Sequence, residues 1–97
     1  MGLDQYLYDS SYPNPLDPLD SGPELAYWRK DWALQNYIGS ANSENVDISL
    51  DYCNELLANL DSIYADDNHY QSATYKAFTE ARKILKAGGR ITYYGNW

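Results

Sequence analysis

ELAYWRKDWALQNYIG, residues 24–39, gathers Tyr27, Trp28, Trp32 and Tyr37 around the adjacent cations Arg29 and Lys30. What precedes it reads as a helix start. Ser21 stands at an N-cap position, Pro23 falls in the first turn, and Glu24 completes a Ser-x-x-Glu capping box. Gly39 supplies a C-cap, so the spacing predicts a helix over about residues 23–38. On a helical wheel at about 100° per residue, Leu25, Trp28 and Trp32 share one sector, with Tyr27, Leu34 and Ile38 nearly opposite. A helix apolar on two faces is sandwiched between two layers. Arg29 then sits at the edge of the Trp sector and Lys30 at the edge of the Tyr27 sector. The plain reading lays Arg29 over a Trp ring, or against a carboxylate, and lets Lys30 snorkel beside Tyr27. The functional reading makes Arg29, Lys30, Trp28 and Tyr27 a pocket for the phosphate and base of a nucleotide.

Outward from this segment, GLDQYLY (residues 2–8) alternates as a strand, with Leu3, Gln5 and Leu7 on one face and Tyr6 and Tyr8 on the other. Residues 9–22 hold three of the four prolines, with Pro23 just beyond, and read as an extended connector. SANSEN is a loop. Ser49 caps a second helix over about 50–64, with Leu50, Cys53, Leu57, Leu60 and Tyr64 at helical spacing. ADDNH is a turn in which Asp67 or Asn68 caps a third helix over about 69–87. That helix carries Tyr70, Ala73, Ala77, Ala81 and Ile84 on one stripe, with Phe78 and Leu85 beside it, and ends at Gly88. RITYYGNW closes the chain with a strand over 90–96. The expectation is a single α+β domain: three helices and a two-stranded antiparallel ribbon made by the N- and C-terminal strands.

The chain has 97 residues, eleven Tyr and three Trp, against one Phe and one Met. Tyr and Trp combine large apolar area with a polar tip, which suits half-buried positions and interfaces. No apolar run reaches the roughly 18 residues of a membrane span, and no signal peptide is read. The lone Cys53 forms no internal disulfide, so a reducing cytoplasm is the expected compartment. Residues 1–67 hold thirteen acidic and two basic residues, a balance of −11, whereas residues 68–97 hold one acidic and five basic, a balance of +4. Such acidity opposes direct nucleic-acid binding and favours a basic partner.

Motifs for chemistry are missing. His69 is the only histidine, in a turn beside Asp66 and Asp67, without the further ligands or the glycine of a calcium loop. Cys53 lies on an apolar stripe and reads as a packed thiol. Gly88-Gly89 ends a helix, with no strand–loop–helix context for phosphate. The reading is therefore a non-enzyme with no cofactor and no metal. What stands out is an acidic face. Asp51 and Glu55 lie one turn apart on the second helix, with Glu44 and Asp47 leading into it. Like charges at that spacing cost a few tenths of a kcal/mol, so something offsets or exploits them. The competing account pairs them internally with Lys83 or Lys86.

MGLDQYLY at the start, ELAYWRK, VDISLDYCNELLANL and the final ITYYGNW together resemble a family of uncharacterised tailed-bacteriophage proteins. The likeness covers both ends and the segment at ELAYWRK, about half of the chain. Where that family has an Asn and a His beyond its Tyr-Trp-Arg-Lys, this chain has Trp32 and Gln35. The resemblance implies a phage accessory protein in the bacterial host cytoplasm and transfers no activity. With the charge pattern, it leads to the expectation of an inhibitor of a host defence protein, such as a CRISPR effector or restriction enzyme. That partner would meet Glu44, Asp47, Asp51 and Glu55 standing where phosphates would sit. The alternative is a sponge for a defence signalling nucleotide, through Arg29, Lys30, Trp28 and Tyr27.

Overall fold

A computed structural model describes residues 2–11 and 23–97. In chain order it contains β1 (Asp4–Asp9), β2 (Glu24–Arg29), α1 (Trp32–Ile38), β3 (Glu44–Ile48), α2 (Leu50–Ala58), α3 (Leu60–Ile63), α4 (Gln71–Lys86) and β4 (Ile91–Asn96). The class is α+β, but three helices around a two-stranded ribbon is not the architecture. Among the described residues the structure has a four-stranded antiparallel sheet in the order β2-β1-β4-β3, with four helices. The terminal strands do pair antiparallel, from Asp4 opposite Asn96 to Asp9 opposite Ile91, and they form the centre of the sheet.

The correction begins in the segment read as one helix over 23–38. Its first half is β2, and only Trp32–Ile38 is helical. Ser21, the expected cap, lies outside the described residues, as does residues 12–22 of the connector. Tyr and Trp favour a pleated, half-buried surface, and strand alternation sends Trp28 inward and Tyr27 and Arg29 outward. β2 pairs with β1 from Asp4 opposite Arg29 to Leu7 opposite Ala26. The register then shifts so that Tyr8 faces Glu24, leaving Leu25 as the extra residue of a bulge. Lys30 turns the chain at a left-handed φ of 61°. Asp31 then caps α1 by accepting the Leu34 N–H, and Gly39 at φ 72° closes it.

Two further expectations change. Glu44–Ile48, placed partly in a loop, is an edge strand pairing with β4 from Glu44 opposite Gly95 to Ile48 opposite Ile91. The expected helix over 50–64 is divided at Asn59, whose side-chain amide donates to the Glu55 carbonyl at 2.7 Å. Ser49 caps α2 through the Tyr52 N–H. Neither Asp67 nor Asn68 caps α4. Tyr70 occupies that position without a side-chain cap, and Asp67 accepts the His69 N–H instead.

The helices cover one face of the sheet. α4 packs on β1, β2 and β4 and against α2. Its buried residues are Thr74, Ala77, Phe78 and Ala81, while Ala73 is exposed. Leu7, Trp28, Ile48, Ile91 and Tyr93 meet Cys53, Leu56, Leu60, Tyr64 and Phe78 in the core. Burial of this apolar area, at about 25 cal/mol per Å², is the main stabilising term.

Candidate functional site: the open tyrosine face

The sheet's other face carries Asp4, Tyr6, Tyr8, Tyr27, Arg29, Asn45, Asp47, Thr92, Tyr94 and Asn96 by strand alternation. Of these only Thr92 is buried. Register brings the tyrosines together. Tyr6 on β1 lies opposite Tyr27 on β2 and Tyr94 on β4, and Tyr8 follows two residues along the same face. The Tyr6 ring is 5.1 Å from Tyr27, 5.8 Å from Tyr8 and 6.2 Å from Tyr94, and it stacks on Tyr8 at 11°. Each such pair contributes about 0.5–1.5 kcal/mol beyond its buried area. The Tyr27 hydroxyl donates to Asp4 Oδ1 at 2.5 Å, and that bond is the main reason its pKa is raised. The Tyr8 phenol is raised chiefly by burial, then by Tyr6, Glu24 and Tyr94. Both rings stay neutral near pH 7 and present aromatic faces to solvent, with the Tyr27 O–H already donated to Asp4.

The residues of the nucleotide-pocket reading are placed on different sides. Trp28 is fully inside the sheet, where its Nε1 donates to Thr74 Oγ1 at 3.0 Å. Tyr27 and Arg29 face outward, and Lys30 lies in the turn beyond. Trp28 therefore walls no common pocket with Tyr27. Glu44, Asp47, Asp51 and Glu55 are all exposed but divided between elements. Asp47 accepts from Arg90 Nη2 with both oxygens at 3.3 Å, and Glu44 accepts from the Ala41 N–H at 3.4 Å. Asp51 and Glu55 project from α2 with no salt-bridge partner among the described residues. Neither Lys83 nor Lys86 pairs with these acids, since Lys83 meets Glu80 at 3.7 Å instead. Asp47 shares the face of the tyrosines, whereas Glu44, opposite Gly95, does not.

The chain matches no family model, no curated protein and no solved structure in the comparisons made.

Cys53 is buried and its Sγ donates to the Phe78 carbonyl, with burial raising the thiol pKa. His69 is exposed in its turn, and among the described residues no three His, Cys, Asp or Glu side chains form a metal-binding group. The unforeseen feature is a buried polar network. Trp28 Nε1 donates to Thr74, the Thr74 and Tyr64 hydroxyls are 2.7 Å apart, and Tyr64 donates to Asp31 Oδ2 at 2.5 Å. Beside this chain, Gln5 Nε2 donates to the Asp31 carbonyl and to the Tyr93 hydroxyl, and Tyr93 donates to Gln35 Oε1. Gln35 in turn donates to Ser40, and a Cβ on Gly95 would stand 2.6 Å from its Oε1. The signal for Gln5 was present in the sequence. A Gln between Leu3 and Leu7 on an inward face requires partners.

Proposed function

We propose that this chain is a non-enzymatic binding protein whose open tyrosine face docks a partner protein with a basic surface. The observation that carries the reading is the contiguous cluster of Tyr6, Tyr8, Tyr27 and Tyr94 on the sheet face left free by the helices. Tyrosine is enriched in interface cores because it offers large contact area at small entropic cost. The formal charge of −7 steers a cationic partner. Asp47 on the same face would supply an acidic edge of the interface, while Glu44, Asp51 and Glu55 lie off that face and would act by long-range steering. Among the described residues no helix is long and apolar enough to cross a membrane. The resemblance to tailed-bacteriophage proteins makes a host defence protein in the bacterial cytoplasm the partner proposed, with the acidic side chains competing for a nucleic-acid groove.

The test is capture from host lysate with three baits matched for folding by circular dichroism. The wild-type chain and an Asp51→Asn, Glu55→Gln variant should retain the same partner, the second with a slower on-rate. Tyr6→Ser with Tyr27→Ser should lose it. Retention by the tyrosine variant, with loss by the acid variant, would transfer the site to α2.

A further inference from the structure

A second site is independent of the tyrosine face. Between the turn into α1 and the start of α4 lies a cavity of about 220 Å³, lined by Lys30, Asp31, Trp32, Ala33, Tyr64, Asp67 and Tyr70. We propose that it binds a small organic cation, an ammonium or guanidinium group. Asp31 is only 3% exposed, and a buried carboxylate with no countercharge is costly. Its oxygens accept one hydrogen bond each, from Leu34 N–H and the Tyr64 hydroxyl, and a carboxylate has further lone pairs to offer. Asp67 supplies a second carboxylate, one of whose oxygens accepts the His69 N–H. The two acids feel each other, since Asp67 helps to raise the Asp31 pKa, after the larger effect of burial. Among the described residues no cation comes within 4 Å of either. Lys30 does line the cavity, but its stem passes Gly2, with Cε about 4.0 Å from where a Cβ there would stand.

The rings supply the rest of the chemistry. Trp32, Tyr64 and Tyr70 bound the same cavity, and aromatic faces attract ammonium and guanidinium through their quadrupole. Tyr70 is held by its hydroxyl, which donates to the Arg29 carbonyl at 2.7 Å, and Tyr64 by its bond to Asp31. Trp32 is held edge-on by Trp97, with ring centres 5.7 Å apart. The walls are therefore set before a ligand arrives. Two carboxylates and three rings against the single Lys30 around a small volume suit one positive head group better than an anion.

The experiment titrates the whole protein with tetramethylammonium chloride, guanidinium chloride and a blocked Gly-Arg-Gly peptide at matched ionic strength. Sodium chloride and neutral tert-butanol are the controls, and the readouts are tryptophan emission and heat. Saturable binding of the cations, absent with both controls, is expected. Asp67→Asn should weaken it about tenfold and Trp32→Ala about fivefold, the sizes set by one lost charge and one lost ring. Both positions are exposed and their melting curves should match the wild type. Tighter binding of the peptide than of the simple ions identifies the source as a partner's basic side chain, and equal or weaker binding identifies a free cation. Either supports the site. Saturation by tert-butanol, an undiminished response in Asp67→Asn, or no saturable cation response overturns it.

Discussion

The Tyr64 hydroxyl donates to the carboxylate of Asp31 at 2.5 Å, tying the end of α3 to the cap of α1 across 33 residues of sequence. Both groups are buried, and the same hydroxyl meets Thr74 on α4. Tyr64→Phe removes the donor and leaves both partners short of a bond. It should lower stability by about 1–3 kcal/mol, the cost of stranding buried polar groups. Urea unfolding measures it, and an unchanged midpoint would mean that water replaces the hydroxyl.

Asp31 gives the fold a pH dependence of defined sign. Burial, outweighing the hydrogen bonds from Tyr64 and Leu34, raises its pKa above the ordinary 3.8. Between 3.8 and the raised value the folded state holds more protons than the unfolded state, so stability falls as pH rises through that window. Below the window both states are protonated, and above it both are ionised. The stability of the wild type relative to Asp31→Asn should therefore decline across the window and be level on either side. Losing the Tyr64 bond should move the decline to higher pH. A level difference throughout would remove the shift.

Trp28 and Trp32, read as one sector of a helix, should now separate sharply. Trp28 is 1% exposed and bonded to Thr74, while Trp32 is 44% exposed. Trp28→Ala should cost about 3–5 kcal/mol. Trp32→Ala should cost under about 1 kcal/mol, as at most exposed positions. Paired thermal melts decide it, and equal losses would contradict the strand assignment of residues 24–29.

The acidic residues should contribute little to folding. Asp51 and Glu55 are exposed, and the Asp47–Arg90 pair is a surface one, worth about 0–1 kcal/mol. Replacing Asp47, Asp51 and Glu55 by Asn, Asn and Gln should leave the melting temperature within a few degrees. Association with a basic partner should slow and its salt dependence flatten. A large drop in melting temperature with normal association would assign these acids to the fold.

What the sequence disclosed follows from how local each signal is. Ser49 capping α2, the body of α4, the Leu3–Leu7 alternation and the pairing of the terminal strands depend on patterns within one or two elements, and each appears in the structure. Residues 24–29 carry a pattern too short to separate a period of 2 from one of 3.6, and an upstream capping box weighted it toward helix. The decisive facts are non-local. Trp28 finds its partner 46 residues away, and Lys30 turns at a φ that no local residue type announces. The alternation of Val46 and Ile48 is the local sign of β3. The tyrosine face was half visible, since Tyr6 and Tyr8 were placed together, but Tyr27 and Tyr94 join them only through register. The Asp31 cavity needs the start of α1 brought beside the end of α3 and the turn before α4, which spacing along the chain does not encode.

Placing β1 and β4 at the centre of the sheet constrains the order in which the molecule can assemble. β1 can pair with β2, and β3 with β4, but the two pairs become one sheet only when residues 4–9 meet residues 91–96. During synthesis β1 gains its central neighbour only after residues 91–96 have left the ribosome. Closing so long a loop carries an entropic cost before any contact repays it, which favours slow folding relative to a helical bundle of this size. Until then the edge of β1 that faces β4 stays open even with β2 in place, so the nascent chain should gain from holding chaperones until Asn96 has emerged.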